Sequence, residues 1–465
     1  MINLKKMSKI IKKFLYFKKE KKGNITILIL IMGMAVILLT TAMVGYIFRD
    51  IGFTELDKDK LRALNFAEAG ISNMYSNIDQ YNKGFIQHIP DDDPEETFGY
   101  TRDVYSEGNP DPEGSFTIEY EAYFVGGSYL IDGYEITSKG IDIGSGAERA
   151  VKVNTVYMDI YDFIYSGEAM GSGQIAGQTT ISGPFFVAGN FGLLTGNSNF
   201  IGGPLFVMGD IEITGSCSIG EPSNPIVLFL GGKMNGSIFD PNNPPGGVYV
   251  SEYYDSVIEI IMPIIDDNYI NSVVASGALV INGNLSINEY DEGGITVNDL
   301  PPPSEVDDYL WYNGSGILEI NGNIVVYGDI TIGGHMETIR YSGKANLVST
   351  GNIIIDSQLI PNGFIDFPED DLIALISKNN IDLFLTNEFG GTYNDPGVAA
   401  MLIAGNKTET STNTFIRGSS ISNALVLGQN TQIYYEEGIG KVLVTGVPGF
   451  NGKIFVLNWQ EIIVE

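Results

Sequence analysis

Hydrophobic positions divide this chain into stretches of different texture. From Ile25 to Phe48 they run without a charge, as ITILILIMGMAVILLTTAMVGYIF. A bilayer crossing requires about 20 such residues. Beyond Arg49 the apolar positions thin out to Leu64, Ala67, Ile71, Met74 and Ile78, at spacings of three and four. That spacing marks one buried helix face, with Asp57, Lys58, Lys60, Arg62 and Glu68 between. The pattern predicts one helix from about Asn24 to about Asn82, uniformly apolar first and amphipathic after.

Residues 84–114 are polar and broken by Pro90, Pro94, Pro110 and Pro112, and read as loop. The acidic run Asp91-Asp92-Asp93-Pro94-Glu95-Glu96 lacks the glycine and spacing of a calcium loop and reads as solvated. Three strands follow, over Phe116–Val125, Tyr129–Ser138 and Ala150–Ile160. In the first, Phe116, Ile118, Tyr120, Ala122 and Phe124 share a face. An antiparallel meander of this kind can cover the amphipathic half of the helix.

From about Ile164 onward, short apolar runs end in Gly-Asn, Gly-Asp or Asn-Asn pairs. Examples are Phe185–Asn190, Leu205–Asp210, Leu279–Asn284, Leu318–Asn323, Leu347–Asn352 and Met401–Asn406. Several equivalent turns lie 20–29 residues apart, from 189 to 209, 328 to 351, 351 to 379 and 379 to 405. Strand-turn-strand units at that period, without helices between, suggest a parallel β-solenoid, right-handed β-helix-like. A β-sandwich with hairpin turns is the rival, since Gly-Asn also marks type I′ turns. The segment at about 240–315 reads as an insertion, with a short helix over Asp266–Ala275 capped by Asp266 or Asp267. Its aromatics Tyr253, Tyr254, Tyr290, Tyr309, Trp311 and Tyr312 either stack on sugar rings or pack the loop onto the body.

Charge adds orientation. The net charge is −31. Nine lysines and Glu20 within residues 1–22 give that tail +8, which leaves −39 for the rest. By the positive-inside rule the tail stays cytoplasmic and everything after Arg49 is exported. This predicts a single-pass protein of the cytoplasmic membrane with an extracytoplasmic body, on the cell surface or a pilus. A cleaved secretory signal is the rival, though the apolar run is long for one. A body this acidic excludes nucleic acid as a partner. One cysteine, Cys217, excludes an intrachain disulfide. Two histidines, His88 and His335, leave little for zinc, and no cofactor is expected.

The N-terminal residues resemble a family. Lys21-Lys22-Gly23, then an apolar span, then Ala67-Glu68-Ala69-Gly70 on an amphipathic helix, is similar to the N-terminus of PilX-type proteins, minor-pilin-like components of type IV pili and type II secretion systems. The resemblance implies processing by a prepilin peptidase, with Gly23 the last leader residue and Asn24 the first mature one. Major pilins carry a glutamate five residues after the glycine. Here that position is Leu28, a departure that suits PilX-type and tip pseudopilin-like members, which often lack the acid. It also implies a pilin-like head and, as partners, the membrane and other pilins or pilus assembly components. The ending, Leu457-Asn458-Trp459-Gln460-Glu461, resembles that of PilX-linked surface proteins, with Trp459 read as a cap over the last coil.

The organisation expected is a basic leader (1–23), a transmembrane and amphipathic helix (24–83), a pilin-like β-meander head (84–163) and a Gly-rich β-solenoid (164–465). Catalysis is not expected. The acid pairs Asp266-Asp267, Asp307-Asp308 and Asp370-Asp371 are candidates on paper, but strand neighbours point to opposite faces. No Walker loop, Rossmann fingerprint or nucleophile motif is present. The function expected is a non-enzymatic minor-pilin-like surface protein, acting in pilus assembly or in adhesion, with surface polysaccharide as a candidate ligand. The alternatives are a membrane-anchored polysaccharide-binding or polysaccharide-cleaving β-helix, and a polymerising scaffold resembling bactofilins.

Overall fold

The computed structural model describes residues 25–82, 99–106, 109–125, 131–168, 179–193, 199–214, 216–257, 259–288, 295–313, 316–334, 338–364, 367–385, 392–442, 445–448 and 453–462. Gly23, Asn24, both histidines, Tyr290 and the acidic run at 91–96 lie outside them.

A single helix spans Ile25–Asn82. Its C-terminal half buries Ala63, Ala67, Ile71, Met74 and Ile78, the face that the spacing predicts. Beneath it lies an antiparallel sheet of β1 (Gly99–Val104), β2 (Gly114–Val125), β3 (Ile131–Asp142) and β4 (Ala147–Met158), joined in chain order. The helix packs on Phe116, Ile118, Tyr134, Ile136, Val151, Val153 and Tyr157. Gly140 sets how close they come. A Cβ there would sit 2.1 Å from the Ala63 carbonyl oxygen and 2.4 Å from the Ala67 nitrogen, so the helix backbone rests directly on the strand.

This head differs from expectation at both edges. β1 falls in the stretch read as loop, where Tyr100 is buried and hydrogen-bonds both Asn73 and Asn77 of the helix. The fifth strand, at the opposite edge, is the C-terminal segment Lys453–Ile462, antiparallel to β4 with Trp459 opposite Val153. Trp459 therefore does not cap the body. Residues between β4 and the C-terminal strand form the body as an excursion from one sheet, held by two chain crossings at its root. There Tyr435 donates to Tyr161 O (3.3 Å), and Tyr161 donates to Pro448 O.

The body consists of parallel ladders. The longest runs through the rungs Leu279–Asn282, Ile317–Tyr327, Thr338–Ser349, Leu372–Ser377, Val398–Thr410 and Phe415–Val426. It continues through Ile164–Glu168, Phe185–Val187, Leu205–Val207, Ile226–Leu230 and Val250–Tyr254. Other strands of the same circuits pair alongside, as in Leu285–Ile287, Ile330–Ile332, Ile353–Ile355 and Asn380–Leu383. Four strands, Thr338–Ser349, Gln358–Pro361, Leu372–Ser377 and Val398–Thr410, close a ring of parallel pairs. Parallel pairing removes the hairpin sandwich as an option.

The expected fold class is corrected in two respects. The ladder is not wound in sequence order, because the late strand Phe415–Val426 lies beside the early strand Ile164–Glu168, with Ile421 opposite Tyr165. The early rungs build outward from this centre to Val250–Tyr254. The chain then returns to the far end and builds inward. Residues 255–278 make that return, a non-helical run followed by the helix Asp267–Ala275, whose N-cap is Asp266, one of the two expected. At extended and helical rise such a strap reaches about 53 Å, enough to pass eleven rungs stacked at about 4.8 Å. Ile260, Ile265, Ile270 and Val273 of the strap join the body core. Rungs such as Leu372–Ser377 are thus buried on both faces, and their apolar runs are continuous rather than alternating.

The second correction concerns the membrane. Among the described residues no helix is long and apolar enough to cross a membrane. The transmembrane helix, and the single-pass cytoplasmic-membrane location with a membrane partner that followed from it, are not supported.

Candidate assembly and binding surfaces

In the Ala67-Glu68-Ala69-Gly70 element, Ala67 and Gly70 face the sheet while Glu68 and Ala69 face solvent. A Cβ on Gly70 would lie 2.2 Å from Ser138 Oγ and 3.0 Å from the Phe116 ring. The element is a close-contact seam between helix and sheet. Above the seam, Met34, Val36, Leu38, Leu39, Met43 and Tyr46 remain exposed, Leu38 to 71%. Half of one helix is therefore sealed into the head and half presents apolar side chains outward.

The candidate sugar-stacking aromatics are not brought together. Tyr253 and Tyr254 lie on the last rung at one end of the stack. Tyr254 stacks on Phe229 (4.6 Å), which stacks on Phe206 (4.3 Å), and the series continues through Phe186 to Tyr165. Tyr253 packs against Phe239. Tyr309, Trp311 and Tyr312 occupy an antiparallel strand on Ile317–Tyr327, near the other end. The rungs from Ile226–Leu230 back to Thr338–Ser349 lie between, about 40 Å of stack. Tyr165 donates to Ile260 O, and burial pushes its phenol up to about 12.

In each acid pair at least one carboxylate holds backbone or a neighbour. Asp266 caps the short helix through Tyr269 N–H (2.9 Å), which holds its carboxyl below the usual range, and Asp267 pairs with Lys378 (2.7 Å). Asp308 accepts from Asn323 N–H (3.1 Å). Asp371, buried, accepts from Ser342 Oγ (3.0 Å) and Gly343 N–H (2.7 Å). Among the described residues no group of three or more His, Cys, Asp or Glu could hold a metal ion.

Two features were not anticipated. Arg417 is buried, donates to both Glu436 carboxylate oxygens (2.6 and 3.2 Å), and lies under the rings of Tyr393 (4.1 Å), Phe364 (4.9 Å) and Phe367 (5.3 Å). Tyr393 also donates to Glu436 (3.0 Å). The available signal was an isolated arginine inside the apolar run Phe415-Ile416-Arg417, with an acid one circuit later. The second feature is a cleft of about 400 Å³, lined by Asn190, Asp210, Glu212, Ile213, Thr214 and Asn235 among others.

No family model matches the chain, and no curated protein does. Among solved structures, the competence-associated pilin ComZ from Thermus thermophilus is similar over 87% of this chain and 97% of that one, at 15% identity and a TM-score of 0.48. An ice-binding protein from the Antarctic ascomycete Antarctomyces psychrotrophicus aligns over 59% of this chain and 95% of that one, at 13% identity and a TM-score of 0.17. The first is a weak structural likeness to a pilin. Neither score reaches 0.5, so the functional reading rests on the geometry above.

Proposed function

We propose that this protein is a non-enzymatic structural component of pilin type. Its helix packs among helices of other pilin-like subunits, and its body is displayed for adhesion. The observation that carries the reading is the half-sealed helix. A free-standing domain gains nothing from an apolar helix projecting past its own sheet, whereas a helix-packed assembly requires that surface. The Ala67/Gly70 seam and the doubly rooted body support it further, since a body held by two chain crossings on a helix-backed sheet suits display from a helical stem. The engagement of Asp266, Asp267, Asp308 and Asp371 favours a structural over a catalytic role.

The test uses cysteine cross-linking in the native host. Cys217 is buried, so Leu38→Cys and Leu39→Cys introduce accessible thiols against a quiet background. Adducts with pilin-like subunits, identified by mass spectrometry, are expected. The reading fails if no adduct forms and loss of the protein leaves surface filaments unchanged.

A further inference from the structure

The cleft described above arises from an interrupted ladder. Strands Phe191–Leu193 and Ile211–Ile213 pair in parallel. The next circuit adds only a bridge at Met234, made by two hydrogen bonds, from Ile211 N–H to Lys233 O (2.7 Å) and from Asn235 N–H to Ile211 O (2.8 Å). Asn235 and Gly236, at φ 49° and 76°, then turn the chain back, and Ser237 N–H closes the turn on Met234 O (3.0 Å). The Ile213 N–H, which a third strand would have bonded, is taken by Asn235 Oδ1 (2.8 Å). The cleft occupies the place of that missing strand.

Its polar groups are oriented by these backbone bonds. Asn190 Oδ1 accepts from Asp210 N–H (2.7 Å), and Asn235 Oδ1 accepts from Ile213 N–H, so both carboxamides keep their NH₂ groups for another acceptor. Asp210 Oδ1 accepts from Lys233 N–H (2.7 Å), which leaves Oδ2. Glu212 is exposed, and its carboxylate has no partner among the described residues. Two amide donors and two carboxylate acceptors thus converge beside the half-buried flank of Ile213.

We propose that this cleft binds a neutral, hydroxyl-rich carbohydrate. A sugar hydroxyl both donates and accepts, so neighbouring hydroxyls match alternating carboxylates and amides. A volume of about 400 Å³ lies within the range of small-ligand sites and admits one or two sugar rings. The two carboxylates and the chain's charge of −31 oppose acidic glycans and phosphates. The proposal rests on the adhesion part of the reading above, and it places the ligand at a coil corner rather than on the tyrosines and Trp311.

The experiment is saturation-transfer NMR on the purified full chain with cellotriose, chitotriose and mannotriose in turn, at millimolar concentration. At least one is expected to bind. Glu212→Gln and Glu212→Ala, at an exposed position, should weaken binding about tenfold or more. Trp311→Ala should leave it unchanged. The proposal is overturned if none of the three binds, if Glu212→Ala binds as wild type does, or if only Trp311→Ala abolishes binding. Filament assembly in a Glu212→Ala strain is scored separately, so loss of the glycan site leaves the assembly reading standing.

Discussion

Asn352 donates its backbone N–H to Asp329 Oδ1 at 2.7 Å, one circuit away along the ladder. Asp329 N–H in turn donates to Asn284 Oδ1 (3.0 Å), and Asn380 N–H to Asn352 Oδ1 (3.3 Å). The other end of the body repeats the device, from Asn190 through Asp210 to Lys233. Backbone N–H groups that leave the sheet at these corners thus find a side-chain acceptor on the previous circuit. The Gly-Asn and Gly-Asp pairs serve this purpose, with glycine admitting the close approach. A Cβ on Gly351 would lie 2.1 Å from Asp329 Oδ1.

Asp329→Ala should therefore destabilise the body by about 1–3 kcal/mol, since it leaves a partly buried N–H without its acceptor. Urea unfolding should show a lower midpoint at unchanged slope. Asp329→Asn, which keeps the acceptor, should recover most of the loss.

Arg417 and Glu436 form a buried pair, and removing one partner strands the other charge. Arg417→Met should cost about 3–5 kcal/mol. The double variant Arg417→Met with Glu436→Leu should be milder than the single one, because no unpaired charge remains. A double variant less stable than Arg417→Met would show that Glu436 contributes through its other partner, the Tyr393 hydroxyl, rather than through charge pairing.

The helix–sheet seam is sterically tight. Gly140→Ala should destabilise the head by about 1–3 kcal/mol, because its methyl group meets helix backbone rather than a movable side chain. Ala69→Ser, two residues past Ala67 and exposed, should change stability by less than about 0.5 kcal/mol. Thermal unfolding of the two variants side by side separates a packing motif from a merely helical one.

Phe206 lies inside the aromatic series between Phe186 and Phe229 and is 1% exposed. Phe206→Ala should cost about 3–5 kcal/mol and Phe206→Leu considerably less. Calorimetry of both variants checks the ordering.

Alkaline pH should unfold the protein through its buried phenols. The Tyr75 and Tyr165 hydroxyls are pushed up by burial to about 12, from an ordinary value of 10.0. Tyr161, Tyr341 and Tyr435 are raised by the same cause. A raised folded-state value favours the folded form fully below pH 10, and that advantage is lost as pH rises from 10 through 12. Tyrosinate absorbance and circular dichroism should change together over that window. Ionisation of all tyrosines near pH 10 with the fold intact would contradict the burial of these side chains.

Much of the local structure was legible because its causes are local. Ala67, Ile71, Met74 and Ile78 declare a helix face by spacing alone, and Asp266 declares a helix start by its capping chemistry. The strand Gly99–Val104 was not legible. Its six residues bury only Tyr100 fully, and its place is set by pairing with β2. The tyrosines and Trp311, close in sequence, were read as one group. The strap that follows Tyr254 carries the chain the length of the stack before Tyr309 is reached.

The sequence by itself determined much of the local structure: where the helix turns its apolar face, and that short apolar strands end at a recurring Gly-Asn corner. Those choices depend on a side chain and its near neighbours. Only the tertiary structure decided which strands meet. Ile421 lies opposite Tyr165, and Trp459 opposite Val153, across hundreds of residues. Any apolar rung can pair with any other at the same ladder spacing, so rung order carries almost no local signature. Only the simultaneous burial of the strap, both ladder faces and the chain's two crossings at Tyr161 and Tyr435 selects it.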